Sequence, residues 1–236
     1  MVRVEERNSG AVQRMMNLIW NKSCQEPLTI LCLGAHSDDI EIGCGATLLQ
    51  LSQSTAKPKF CWVVLSAKGE RETEARQAAE LFTAGCDIDI FLKDFRDGYL
   101  PHEGSRVKDF FEDLKSRVKP DVIFTHCHGD AHQDHRLVNE LTWNTFRNHL
   151  ILEYEVPKFD GDMGRPGVFV ALEEWALRQK VSNLAEAFKS QSSKPWFSSD
   201  TFLGLMRLRG MESNSPSGYA EAFYARKLLI DTPTRK

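Results

Sequence analysis

The sequence predicts an α/β protein built on an open, doubly wound, mainly parallel sheet with helices on both faces. Three observations carry the prediction. Short, almost wholly apolar runs recur along the chain, as strands covered on both faces do. Stretches with helical periodicity lie between them. Two segments rich in histidine and aspartate, Ala35-His36-Ser37-Asp38-Asp39 and His132-Gln133-Asp134-His135, follow directly on two of those runs. Ligands of doubly wound sheets bind at strand carboxyl ends, beside the switch in strand order.

The elements read in order as follows. Leu28 to Leu33 (LTILCL) is the first strand and stops at Gly34. Gly45 to Leu51 lies in the first helix. Phe60 to Leu65 (FCWVVL) is the second strand. Glu70 to Ala84 is a helix with Ala75, Ala78, Ala79 and Phe82 on one face. Asp87 to Leu92 alternates as a third strand, and Val107 to Val118 is the next helix. Val122 to Thr125 is the fourth strand, followed by a helix over Leu137 to Leu150. Val156 to Gly167 is rich in Pro and Gly and reads as a structured loop before a fifth strand, Val168 to Ala171. Trp175 to Phe188, Ser198 to Leu208 and Tyr219 to Leu229 read as helices, the second of them stopped by Gly210. Ser213 to Gly218 is a polar connector. No repeat and no long linker appears, so residues 28–236 form one domain behind an N-terminal extension, residues 1–27.

Composition narrows the function. At 236 residues, with 42% apolar and 27% charged residues, the chain can bury a sizeable core. A net charge of −3 gives no bulk attraction to nucleic acid or to an anionic membrane. No window approaches the roughly 20 apolar residues of a membrane span, and Met1 to Gly10 lacks a signal-peptide core. The cysteines, at 24, 32, 44, 61, 86 and 127, show no CxxC spacing and read as reduced thiols of a cytoplasmic protein.

The two acidic-histidine segments point to a divalent-metal hydrolase. Such a site needs a few N/O ligands, an open position, and a carboxylate to handle the proton of a bound water. Asp38 and Asp39 are adjacent on a turn, so their side chains diverge: one can ligate while the other faces substrate. His36 and Asp39 are close enough in sequence to meet on one ion, and so are His132 and His135 if a helix opens near Gln133. Each segment has a plain alternative, an Asp N-cap in one case and a solvated His-rich loop in the other. Both at strand ends of one sheet make the metal reading the stronger. Four of the seven histidines fall between 126 and 135. Gly43-Cys44-Gly45 lacks the third glycine of a dinucleotide fingerprint. Cys127 and His128 are neighbours on an extended strand end and point to opposite faces, which disfavours thiol catalysis.

At these residues the chain resembles the LmbE-like (PIG-L) family of zinc-dependent N-acetylglucosaminyl deacetylases. AHSDD followed by IEIGCG resembles the AHPDDE-like turn, and HQDH the HPDH-like turn. Gly69-Glu70 with Arg71 and Glu74 resembles a GE-RxxE element on the second helix, and Asp97-Gly98 a family loop. The likeness spans about residues 28 to 140; further on, Tyr219 to Phe223 resembles a late helix of many members. Ser37 and Gln133 stand where proline is usual, and Ile40 stands where AHPDDE has Glu, with Glu41 displaced by one.

The resemblance implies that His36, Asp39 and His135 bind Zn²⁺, with Fe²⁺ or another divalent ion as an alternative. Asp38 would be the general base on the metal-bound water. His132 would stabilise the oxyanion or act as acid, and Asp134 would orient an imidazole. Arg71 and Asp97 would contact the sugar; the plain alternative for Arg71 is a solvated helix charge paired with Glu74 or Glu70. Loops around Arg71, Asp97 and Lys158 to Arg165 would set the substrate. The expected activity is removal of an N-acetyl or N-acyl group from a small amino-sugar substrate or its conjugate. A non-sugar amide hydrolase and a non-catalytic metal- or sugar-binding module are the alternatives. The family also implies a homo-oligomer, trimer or hexamer, and Trp175, Trp196, Phe197 and Met206 form an apolar set that could lie at its interface; the plain alternative is a local core for these helices.

Overall fold

The structure is a computed structural model that describes residues 27–230. The expected N-terminal extension lies outside the described residues but for its last residue. A seven-stranded sheet with the order β3-β2-β1-β4-β5-β7-β6 runs through the molecule. Strands β1 (Thr29–His36), β2 (Lys59–Ser66), β3 (Asp87–Leu92), β4 (Val122–His126) and β5 (Leu150–Tyr154) are parallel neighbours. β7 (Ala220–Tyr224) pairs antiparallel with both β5 and the edge strand β6 (Val168–Ala171).

The apolar runs become strands because both faces are covered. Ile30, Cys32, Phe60, Trp62, Val64 and Phe124 face a layer made by α1 (Asp39–Ser52), α2 (Glu70–Phe82) and α5 (Glu174–Ala187). Leu31, Leu33, Cys61, Val63 and Ile123 face α3 (Gly104–Arg117) and α4 (Gln133–Thr145). The period of two along each strand thus feeds two separate cores. Helix α6 (Ser199–Glu212) packs against β7 and α5.

The sheet order reverses direction between β1 and β4, the switch point where doubly wound folds bind ligands. The two histidine-aspartate segments sit at the carboxyl ends of these two adjacent strands, as the sequence predicts.

Three expectations change. The helix expected over Leu137 to Leu150 is two elements: α4 ends at Thr145, and Leu150 opens β5, which pairs in register with β4. The helix expected over Tyr219 to Leu229 is strand β7, whose backbone is claimed by β5 and β6. Gly210 does not stop α6, which continues to Glu212. It is glycine because a Cβ there would meet the carbonyl oxygen of Gly218 at 2.2 Å. Of the two roles open to the Trp196, Phe197 and Met206 set, local core is the one mostly realised: Met206 is buried, and Phe197 meets Phe188, Trp196 and Phe202 edge to face. Only Trp175 of that group is exposed.

Candidate metal centre and active site

The end of β1 turns tightly into α1. The His36 amide donates to Asp39 Oδ2 at 2.7 Å, so the turn closes on itself and brings the Asp39 carboxylate back under the His36 ring. Asp38 occupies the N-cap position without a side-chain cap bond, so the plain capping alternative is not realised. At the end of β4 the chain loops through Asp130 before His132 caps α4. There the His132 ring accepts from the Asp134 amide at 3.2 Å through Nδ1. This opens the helix at Gln133 and turns His135 inward.

His36, Asp39 and His135 converge. His36 Nδ1 lies 3.2 Å from His135 Nε2, and each of these nitrogens is 3.4 Å from an Asp39 carboxylate oxygen. His132 completes a group of three imidazoles with His36 and His135, their ligand atoms all within 4.8 Å of one another. A donor set of two imidazole nitrogens and one carboxylate, with a fourth group beside it, suits a divalent transition metal. Electrostatics agree. Burial alone would depress the His36 pKa, but the Asp39 charge and contacts with Asp134, Asp39 and Asp97 raise it well above the ordinary value. Burial likewise acts against ionised Asp39, yet the imidazoles of His135, His126 and His36 around it hold its pKa well below the usual range. The cluster favours a positive charge at its centre.

Asp38, the chain neighbour of Asp39, is almost buried, and its Oδ1 accepts from Arg71 Nη2 at 2.7 Å. Arg71 is therefore not a solvated helix charge: its nearest carboxylate is Asp38, with Glu74 at 3.9 Å. Glu74 itself accepts from the backbone and hydroxyl of Ser190. Asp97 Oδ1 lies 3.1 Å from His36 Nε2 with its side chain 78% exposed, at the mouth of the site. Asp134 is fully buried. Its Oδ2 lies 3.2 Å from His36 Nε2 and accepts from Gly98 at 2.8 Å, while Oδ1 accepts from Leu100 at 3.1 Å. Asp134 thus fixes both an imidazole and the loop that carries Asp97. Gly98 adopts φ 76°, a left-handed conformation that favours glycine.

Three further residues complete the site. His126, the last residue of β4, stacks on the His135 ring with centroids 3.8 Å apart. Its Nε2 lies 3.2 Å from Asp39 Oδ2, so geometry alone also admits an Asp39-His126-His135 trio. That nitrogen, however, accepts the Ala35 amide at 3.0 Å, which occupies its lone pair. Burial, and then the His135 charge, push its pKa down to about 4, so the ring is neutral. Asp130 and Lys158 lie behind His135: Asp130 Oδ2 is 2.8 Å from His135 Nδ1, and Lys158 Nζ is 2.9 Å from Asp130 Oδ1. His126 lies within the histidine-rich stretch of the sequence; nothing in the local pattern signals Lys158. Cys127 is buried and its thiol is pushed up to about 12, which leaves no thiolate for catalysis.

Comparison with known proteins shows the family. Residues 31–146, which run from within β1 through α4 and contain both histidine-aspartate segments, Arg71 and Asp97, match the model of PIG-L, the GlcNAc-PI de-N-acetylase family. An Escherichia coli protein described as an uncharacterized deacetylase, YaiS, is 33% identical over 169 residues, 66% of this chain and 88% of its own length. The chain belongs to the PIG-L family. Its fold is also that of solved structures of low identity. N,N'-diacetylchitobiose deacetylase from Pyrococcus horikoshii superposes with a TM-score of 0.62 at 19% identity, covering 84% of this chain and 83% of that one. GalB, the 4-carboxy-2-hydroxymuconate hydratase of Pseudomonas putida, superposes with a TM-score of 0.64 at 16% identity, covering 88% of this chain and 100% of that one. PIG-L membership and the deacetylase relative make the chain a member of a deacetylase family; the fold alone, shared with a hydratase, does not decide the reaction. Among the described residues no helix is long and apolar enough to cross a membrane.

Proposed function

We propose that the protein is a metal-dependent hydrolase that removes the N-acetyl, or another N-acyl, group from an amino sugar or an amino-sugar conjugate. The observation that carries this reading is the meeting of His36, Asp39 and His135 at 3.2 to 3.4 Å, with the adjacent residue Asp38 almost buried and its carboxylate held by Arg71. A site that only bound metal would gain little from that additional carboxylate.

In this reading His36 Nδ1, Asp39 and His135 Nε2 hold one divalent ion. Zn²⁺ is the choice suggested by the family, and Fe²⁺ suits the same donors. When bound, the ion supplies Lewis acidity, which acidifies water and polarises an acyl carbonyl. Asp38 takes the proton of the attacking water and passes it to the leaving amine. His132 stabilises the oxyanion. Its Nδ1 is used by the Asp134 amide, so a neutral ring carries its proton on Nε2 and can donate it outward. Burial, followed by the charges of His135 and His36, lowers the His132 pKa and favours that neutral form. One such donor contributes about 3 kcal/mol to a transition state. Asp134 orients His36. Arg71 and the exposed Asp97 line the mouth and meet sugar hydroxyls or the group attached to the sugar.

Acetate release from a panel of N-acetylated amino sugars, with Zn²⁺ and with chelator, tests the reading. Release from at least one sugar, abolished by chelator and restored by Zn²⁺, is the expected result. Release only from non-sugar amides would overturn the substrate class. Metal binding with no hydrolysis of any amide would overturn the enzyme reading in favour of a binding module or of water addition as in the hydratase neighbour.

A further inference from the structure

We propose that Asp130 is a positioning residue for the metal centre and that Lys158 is its anchor: together they hold His135 with its proton on Nδ1 and its Nε2 free to face the ion. The inference rests on the reading of His135 as a metal ligand. It adds two residues that lie outside the histidine-aspartate motifs, and Lys158 also lies beyond the 31–146 segment that matches the family.

The argument starts from hydrogen-bond inventory. Asp130 Oδ2 sits 2.8 Å from His135 Nδ1, and both side chains are buried. An ionised carboxylate only accepts, so Nδ1 must be the donor. A neutral imidazole carries one proton, and placing it on Nδ1 leaves the Nε2 lone pair unprotonated. That nitrogen is the one that faces His36 Nδ1 at 3.2 Å and Asp39 Oδ1 at 3.4 Å. Were the proton on Nε2 instead, it would occupy the centre of the cluster and leave Nδ1 with a lone pair against a carboxylate.

The carboxylate must stay ionised and stay in place. Every group that meets it is a donor or a cation: the Lys158 ammonium and the His132 amide meet Oδ1, and the His135 ring meets Oδ2, an arrangement that suits a carboxylate. Its position is fixed from two sides. Oδ1 accepts from the His132 amide at 2.8 Å and from Lys158 Nζ at 2.9 Å. Lys158 is itself mostly buried and is held by Asp162 at 2.6 Å; the same Asp162 oxygen accepts from the Ala131 amide at 2.6 Å. The loop after β5 is thereby tied to the loop after β4 at the residue that orients a ligand. His36 has a comparable arrangement through Asp134, but there backbone amides hold the carboxylate rather than a lysine from another loop.

The test compares Asp130→Ala, Asp130→Asn, Lys158→Met and His135→Ala on the full chain. Zn²⁺ affinity is read by competition with a chromophoric chelator. The His135 tautomer is read from two-bond ¹⁵N–¹H spectra of the metal-free protein, and folding from thermal unfolding. Loss of an outer-shell partner costs about 10–100-fold in metal affinity. Asp130→Ala is expected in that range, with the His135 signals moving away from the Nδ1–H pattern. Asp130→Asn, which keeps an acceptor oxygen, is expected to lose less. Lys158→Met is expected to weaken Zn²⁺ about tenfold, at the low end of the same range, with an intact melting transition. If Asp130→Ala does not fold, the Asn and Met variants decide. Wild-type affinity and an unchanged tautomer in every folded Asp130 and Lys158 variant would overturn the proposal. Full Zn²⁺ occupancy in His135→Ala would instead overturn the ligand assignment on which it rests. Loss of Zn²⁺ there, with Asp130 and Lys158 variants unaffected, would remove this proposal and leave that assignment standing.

Discussion

The sharpest prediction separates the adjacent aspartates. Asp38→Asn and Asp39→Asn are the same chemical change one residue apart, and the structure gives them opposite consequences. Asp38 Oδ1 accepts from Arg71 at 2.7 Å. An asparagine keeps an oxygen for that bond, so fold, Arg71 placement and metal content should persist. What disappears is the basic carboxylate, and removing a general base costs about 10²–10⁴ in rate. At about 1.36 kcal/mol per factor of ten, that is about 3 to 5 kcal/mol of transition-state stabilisation. Asp39 is different. Its Oδ2 accepts the His36 amide, and its charge lies among His36, His126 and His135. Asp39→Asn keeps the turn but removes the leading charge that raises the His36 pKa and takes an anionic ligand from the ion. Metal content should fall, and activity should return in part at high Zn²⁺. Metal analysis of dialysed protein, kcat with excess Zn²⁺ and thermal melts distinguish the cases. If both variants keep full metal and lose the same factor in kcat, or both lose metal alike, the division of roles is wrong.

Other predictions follow from single contacts. Because Arg71 holds Asp38 and, in the proposed reading, also meets the substrate, Arg71→Ala should lower kcat and also raise KM about tenfold or more, with normal metal content; unchanged kinetics would return Arg71 to a surface charge. Cys127→Ala should keep activity within a few-fold, and the native thiol should resist alkylation at neutral pH, since burial pushes it up to about 12; rapid labelling that abolishes activity would reopen thiol chemistry. Glu221 accepts from Ala46 and Thr47 inside α1 and pairs with buried Lys180 at 2.6 Å, so Glu221→Ala should cost about 3–5 kcal/mol; a melting temperature within a degree of wild type would refute that. Assembly as a trimer or hexamer would cover apolar side chains that α6 exposes, Leu208 and Met211; a monomeric mass by light scattering at micromolar concentration would count against it.

Of the parallel strands, β1, β2 and β4 were legible because they are covered on both faces and so read as apolar runs. Leu28 to Leu33 and Phe60 to Leu65 read as strands without reference to anything distant. The antiparallel edge was not legible. Tyr219 to Leu229 contains good helix formers, Ala220, Glu221, Ala222 and Leu228 among them, and local propensity favours a helix there. The strand forms because β5 and β6 supply backbone partners on both sides, and because Lys180 and two amides of α1 meet the Glu221 carboxylate inside the core. Leu150 to Tyr154 was hidden differently. It follows α4 after a short connection, and its apolar start continues the helical pattern of Leu137 onward. Only the register with β4 identifies it as a strand.

The same distinction runs through the site. Residues that would touch the ion or the attacking water must be chemically specific, so they stand out by type: His36, Asp38, Asp39, His132 and His135. Residues that position them need only present a donor or an acceptor at the right place, and many residue types in many loops can do that. Asp134 was visible because it shares a helix turn with His135. Asp130 lies only five residues from His135, yet its role depends on which ring nitrogen it meets at 2.8 Å, and spacing does not encode that. Lys158 is harder still: its contact with Asp130 exists only because β5 lies beside β4 and delivers the following loop to the same end of the sheet. A strand that local sequence concealed thus carries the lysine that local sequence could not assign. A strand over Leu150 to Tyr154 delivers the loop after it beside the loop after β4, next to His132 and His135, and that placement is what sets a buried cation behind a metal-facing imidazole.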